Sequence, residues 1–227
     1  SGTVGLDEGM AAVQRQIDEL LPGTINMIQC GRACLGARRL WVTTYSDLQP
    51  PVYFVYDRDI KKLEFVGASR PWIDAKRSAS RELVRITARD GLTVPAHVTR
   101  PRDAKGPLPT VVLVHGGPYV DGDHWRWDAD AQFLASRGYM VIEPDYRGTQ
   151  RYGFKHFKAG WKQWGLAMQD DVTDVTHWAV KQGLADPKRL VIAGASYGGY
   201  ATMMGLVRAP ELYRAGINWV GVTAILP

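Results

Sequence analysis

Gly194-Ala195-Ser196-Tyr197-Gly198 has the G-x-S-x-G form of a nucleophile elbow. The strand-to-helix turn of such an elbow is so sharp that side chains two residues either side of the serine would collide, which accounts for both glycines. The turn would expose the hydroxyl of Ser196 and aim it at the N-terminus of the next helix, whose unpaired N–H groups favour negative charge. Five residues alone are a weak signal, so the setting has to carry weight. Here the motif follows an apolar run at 189–193 and opens 199–208, which reads as a helix. A second chemical candidate is Val114-His115-Gly116-Gly117-Pro118, at the end of another apolar run. Acyl transfer needs donors for a developing oxyanion, and a glycine-rich strand end lets backbone N–H groups approach it. The candidate oxyanion residues are therefore Gly116, Gly117 and the N–H of Tyr197, with the side chain of His115 as a further candidate. A histidine packed at a strand end is the plain alternative for His115.

The elements that must position these residues fall into two regimes that meet near residue 80. Asp7 can cap a helix running through Leu21, with Met10, Val13 and Ile17 on one stripe. Four short strand-like runs follow at 25–30, 39–45, 52–56 and 62–66, separated by turn residues. Four such strands at roughly ten-residue spacing read as one β-propeller blade. One blade cannot bury both faces alone, so the alternatives are the last blade of a propeller or a small free-standing sheet.

From residue 83 the pattern changes. Runs at 83–88 and 93–99 flank Asp90-Gly91, a hairpin signal. Strands at 110–114, 139–143, 189–193 and 215–220 then alternate with helices at 128–137, 166–182 and 199–208. Continuous apolar strands alternating with amphipathic helices predict an α/β architecture, a parallel sheet covered on both faces.

At this point a family resemblance becomes specific. His115-Gly116-Gly117-Pro118, then Asp145-Tyr146-Arg147-Gly148-Thr149 with Tyr152-Gly153, then Gly194-Ala195-Ser196-Tyr197-Gly198-Gly199-Tyr200 stand in the order and spacing of the prolyl oligopeptidase family. The resemblance is to its dipeptidyl-peptidase and acylaminoacyl-peptidase branches. It implies an α/β-hydrolase fold, partial here, over residues 81–227, and a propeller's last blade over residues 1–80. It also implies a serine peptidase that releases dipeptides, aminoacyl or acylaminoacyl units from short peptides, with no cofactor. Tyr197 and Val222 match positions that line the specificity pocket in the family. Dipeptidyl-peptidase relatives carry a tyrosine at the position of His115, whose hydroxyl helps bind the oxyanion, so a role through the Gly116-Gly117 backbone is favoured here.

The fold's catalytic partners follow the nucleophile in the order Ser, Asp or Glu, His. The 31 residues after Ser196 contain no histidine and one acid, Glu211. All five histidines, at 97, 115, 124, 156 and 177, precede it. The Asp and His are therefore expected from the remainder of the same polypeptide or from a second chain, and the 227 residues alone should be inert. A carboxylesterase, or an inactive fragment that assembles with another chain, are the rival readings. An elbow and an HGG loop also serve ester hydrolysis, although the blade-like first 80 residues argue against that. The missing acid and base favour the fragment.

Other features support plainer readings. The net charge is +5, with basic residues scattered rather than gathered on one face between aromatics, so no nucleic-acid partner is expected. No apolar run reaches the ~18 residues of a membrane span. The start at Ser1, without a charged region and apolar core, does not read as a signal peptide, and the missing initiator Met suggests a start inside a longer product. Cys30 and Cys34 flank Gly31-Arg32-Ala33, where a hairpin disulfide or two buried thiols are both open, as is the compartment. Asp170, Asp171 and Asp174 would point to different faces of a helix and are not read as metal ligands. Trp125 and Trp127 are either pocket lining or packing.

Overall fold

The computed structural model describes residues 7–30 and 34–223. The predicted start at Ser1, the turn at Gly31-Arg32-Ala33 and the end at Pro227 lie outside them. Two units are present, one spanning residues 1–78 with 126–128, the other 79–125 with 129–227.

The first unit begins with α1 (Glu8–Leu20), capped by the Asp7 carboxylate accepting from the Met10 N–H at 3.0 Å. Val13 and Ile17 face Leu40, Val42 and Tyr56 in a small core. Strands β1 (Ile25–Gln29), β2 (Arg39–Tyr45), β3 (Val52–Asp57) and β4 (Lys62–Ala68) form one antiparallel meander in that order. Cys30 and Cys34 form a disulfide, with Cα atoms 5.0 Å apart.

The second unit carries a six-stranded sheet built from β5 (Ser80–Thr87), β6 (Thr93–Arg100), β7 (Leu108–Val114), β8 (Met140–Pro144), β9 (Ala185–Ala195) and β10 (Ala215–Trp219), in the order β10-β9-β7-β8-β6-β5. The sheet is mixed rather than wholly parallel. β5 and β6 form the hairpin at Asp90-Gly91, and β6 runs antiparallel to β8, while β8, β7, β9 and β10 are parallel. The helices are α2 (Ala129–Ala135), α3 (Phe154–Ala159), α4 (Ala167–Lys181) and α5 (Tyr197–Arg208). The sequence does not announce α3, whose six residues, Phe154 and Phe157 among them, are too few to show a 3.6-residue stripe. The main core gathers Val112, Ile142 and Ile192 from the sheet with Met168, Val172 and Val175 from α4. This is the α/β-hydrolase fold.

Beside that core, the buried charge of Arg147 is paired, as the cost of stripping water from an ion requires. The Arg147 guanidinium donates to Asp171 through Nε at 2.8 Å and Nη2 at 2.7 Å, and through Nη1 to Asp90 at 2.7 Å. Those carboxylates push its pKa up. Asp171 also accepts from the Arg147 N–H at 2.8 Å, so α4 is tied to the loop after β8. Asp170 and Asp174, one turn apart on a single face of α4, pair with Arg89, and Asp170 also with Arg208. The three aspartates thus serve arginines.

The turn from β9 into α5 is the tightest place in the fold. A Cβ on Gly198 would fall onto the Val114 carbonyl, and one on Gly194 would stand 2.5 Å from the Gly198 carbonyl carbon and 2.6 Å from the Val114 oxygen. Gly198→Val should therefore cost about 3 kcal/mol, the upper end for overpacking; a variant as heat-stable as its parent would argue against the sharp turn. Asp171→Asn, which leaves the Arg147 charge short of its buried partner, should cost a similar ~3 kcal/mol. Denaturant unfolding with an unchanged midpoint would show that the pair carries no stability.

Candidate active site

Ser196 sits between β9 and α5 with φ 56° and ψ −121°, a left-handed conformation that L-residues avoid. Its side chain is exposed. The chain clamps its backbone from one side. The Ser196 N–H donates to the Trp219 carbonyl at 3.3 Å, and the Ser196 carbonyl accepts from the Val222 N–H at 3.4 Å. To make that return, Val220 takes φ 48°, unusual for a β-branched residue. Gly199 and Gly221 face each other there: a Cβ on either would run into Asn218.

The loop after β7 arrives from the other side. A Cβ on Gly116 would lie 3.2 Å from the Ala195 carbonyl and 3.3 Å from the Ser196 Cβ, so only a glycine lets the chain pass this close to Ser196. Tyr197 opens α5, where no intrahelical carbonyl is available to its N–H. Ser196, Tyr197, Gly116 and Val222 are thus brought together. The Tyr197 ring, however, is 1% exposed and packed among Tyr146, Trp164 and Tyr200, whereas Val222 is exposed.

The His115 ring is engaged away from the serine. It stacks on Tyr146 at 4.4 Å, its Nδ1 lies 2.7 Å from the Gly116 carbonyl, and its Nε2 lies 3.0 Å from Thr149 Oγ1. Burial lowers its pKa to about 4, so the ring is neutral, and the contact to a carbonyl places its proton on Nδ1. Because the peptide is planar and trans, fixing the Gly116 carbonyl turns the Gly117 N–H the opposite way.

Behind this loop lies a buried acid that the sequence reading quoted only within a motif. Asp145 accepts from the Tyr152 hydroxyl and from the Asp123 N–H at 2.9 Å, and its oxygens lie 3.7 Å from His97 and 3.7 Å from His115. Burial pushes its pKa up to about 6, and pushes that of His97 down to about 3. The only signal in sequence was the Asp-Tyr-Arg-Gly-Thr run itself. The far end of the same loop is held by Arg81, which pairs with buried Glu143 and donates to the His124 carbonyl at 3.0 Å. Trp125 donates to the Arg81 carbonyl at 2.7 Å, and the Arg70 guanidinium lies 5.0 Å from the Trp127 ring, so both tryptophans serve packing.

No described residue hydrogen-bonds the Ser196 hydroxyl. His124 Nδ1 accepts from Arg151 Nη1 at 2.9 Å, His156 Nε2 faces the Asp145 and Tyr146 carbonyls at 3.1 Å each, and His177 is exposed on α4. What the arrangement can do is present an exposed hydroxyl beside converging backbone N–H groups, which is half of an acyl-transfer centre. Among the described residues no group of His, Cys, Asp or Glu could hold a metal ion.

Residues 125–226 match the model of the prolyl oligopeptidase family. The chain is 36% identical over 192 residues to dipeptidyl aminopeptidase BIII of Pseudoxanthomonas mexicana, covering 81% of this chain and 28% of that protein. It is 30% identical over 210 residues to dipeptidyl peptidase family member 6 of Caenorhabditis elegans, covering 82% and 28%. Among solved structures, a Mycobacterium tuberculosis puromycin-hydrolyzing peptidase superposes with a TM-score of 0.73 at 25% identity, over 82% of this chain and 30% of that one. The chain therefore spans little more than a quarter of the curated relatives it matches. An elbow built in this way, together with these matches, places residues 125–226 in the prolyl oligopeptidase family.

Proposed function

We propose that this chain supplies the nucleophile and oxyanion loop of a serine peptidase acting on short peptides. One observation carries the reading: Ser196 is exposed at a left-handed turn with the Gly116 backbone against its side chain. The names of the relatives, dipeptidyl aminopeptidase and puromycin-hydrolyzing peptidase, point the same way, to release of dipeptidyl, aminoacyl or acylaminoacyl units.

In this mechanism Ser196 Oγ attacks the scissile carbonyl while its proton passes to a histidine oriented by an acid. Both come from polypeptide outside these 227 residues, in the same chain or a second one. The tetrahedral oxyanion is held by the N–H of Tyr197 and of the Gly116-Gly117 segment. His115 contributes by donating from Nδ1 to the Gly116 carbonyl rather than to the oxyanion. Collapse expels the amine, and water then hydrolyses the acyl-enzyme. Val222 lines the acyl side together with the backbone of Tyr197. Residues 1–80 are assigned as the last blade of a β-propeller and 81–227 as the first part of the hydrolase domain. The four-stranded antiparallel meander supports the blade assignment, with Phe65 and Val66 on β4 left exposed.

In the intact protein, Ser196→Ala should abolish labelling by a fluorophosphonate probe while leaving thermal unfolding within ~0.5 kcal/mol of the parent. Labelling that persists at another serine would overturn the assignment. The 227 residues expressed alone should hydrolyse neither aminoacyl nor dipeptidyl chromogenic amides. Turnover that vanishes in Ser196→Ala would mean that one of the five histidines acts as base after all.

A further inference from the structure

On the outer side of the oxyanion loop, Gln150, Arg151, Gly153, Phe154 and Phe157 line an open depression of about 470 Å³. It is joined to the loop by hydrogen bonds: the Gln150 N–H donates to the Val120 carbonyl at 2.8 Å and its side-chain amide to the Tyr119 carbonyl at 2.8 Å. Phe157 packs edge-on against Tyr119 at 6.0 Å. Three features of the depression stand out. Its floor is aromatic, and Phe154 is left 66% exposed although it is a large apolar side chain. Its charge is of one sign, with Arg151 in the lining, Lys158 Nζ 6.0 Å from the Phe154 ring centre, and no acid in the lining. And Arg151 holds φ 78°, where glycine is favoured, so an arginine is kept at a position whose backbone resists it.

Residues in such conformations persist where the surroundings over-determine them, and they cluster at ligand clamps. One Nη of Arg151 is already aimed by the Asp123 carbonyl at 3.3 Å and by His124 Nδ1 at 2.9 Å. The guanidinium carries further N–H donors beside that one, in the planar fork that matches a carboxylate. An aromatic floor beside a held arginine suits a terminal amino-acid residue, with the apolar side chain on the rings and the α-carboxylate on the guanidinium.

We propose that this depression is the subsite for the carboxyl-terminal residue of a short peptide, lying on the leaving-group side of Ser196. This rests on the peptidase reading and deepens it. Val222 is tied to the carbonyl of Ser196, whereas the depression is tied to the loop after β7, whose Val120 carbonyl accepts from the Gln150 N–H. A peptide advances ~3.5 Å per residue, so one to three residues beyond the scissile bond set the distance spanned. Arg151 then selects substrates that end there, which makes the enzyme a reader of peptide length as well as of sequence.

The test uses the intact protein and peptides with one, two or three residues after the scissile bond, ending in Phe or Ala, each as free acid and as carboxamide. A chromogenic dipeptidyl amide, which has no residue on the leaving side, reports the peptidase activity separately. At one peptide length the free acid should exceed the amide in kcat/KM by about tenfold, the worth of one charge-assisted hydrogen bond. In Arg151→Gly, which suits the backbone at that position, the acid-to-amide ratio should fall to about one. In Phe154→Ala the preference for terminal Phe over Ala should shrink while the acid-to-amide ratio stays. Turnover of the chromogenic amide with an acid-to-amide ratio of one at every length overturns the subsite and leaves the peptidase reading standing. A ratio that survives in Arg151→Gly overturns it equally. An intact protein that cleaves none of these substrates overturns the peptidase reading and the subsite with it.

Discussion

The contact on which the second unit depends is the approach of the β9–α5 turn to the end of β7. Gly198 lies so close to the Val114 carbonyl that no side-chain carbon fits between them. This one contact sets three things. It forces the chain to reverse over two residues, which drives Ser196 to φ 56°. It places the N-terminus of α5 over the strand ends. It also brings the residues directly after Val114 up to Ser196. A left-handed serine costs about 1–3 kcal/mol, and it is kept because α5 buries Tyr197, Ala201 and Thr202 on the sheet.

Around that contact, buried polar groups fix the loops that the sheet alone would leave free. Arg81 with Glu143 holds the far end of the oxyanion loop, Asp145 holds its middle through Asp123, and Arg147 with Asp171 holds the segment after β8. Buried pairs of this kind add little net stability over apolar packing, so their use lies in fixing one loop geometry among several. The histidines of this layer, His97 and His115, are held neutral by burial, below their unfolded-state pKa. A group whose folded pKa is depressed in this way loses stability as pH falls from about 6.5 toward its folded value. Asp145 has the opposite sign: its raised pKa makes the folded state bind a proton more readily between about 4 and 6. The layer therefore contains terms that partly cancel on mild acidification.

The legible part of this architecture was the part that repeats or that only glycine can satisfy. Period-two and continuous apolar runs revealed most strands, the 3.6-residue stripes revealed α1 and α4, and Gly194, Gly198 and Gly116 announced close backbone approach. Asp7 as a cap was readable because capping is local. The antiparallel join of β6 to β8 was not, since register between distant strands has no local signature. Nor was α3, nor the turning of the His115 ring into the Tyr146–Thr149 network, because both depend on partners more than thirty residues away or on aromatic packing without a period. Tyr197 illustrates the same limit: its position beside the serine suggested a pocket wall, yet Trp164 and Tyr146 bury its ring, and it is the backbone that faces the site.

The return of the chain after β10 shows how far the elbow's constraint propagates. Ser196 is clamped on its N–H by Trp219 and on its carbonyl by Val222, so its backbone cannot rotate without dragging both. The bridge between those two residues is short, and it closes only because Val220 accepts φ 48° and Gly221 leaves room for Asn218. Strain is thus stored at two neighbouring places, Ser196 and the bend that secures it. Since Val222 reaches its position through that bend, Val222 and Ser196 are set by one unit rather than by independent loops. The backbone bonds thus set where the Ser196 Cβ stands, and the hydroxyl is left only the choice among its staggered rotamers.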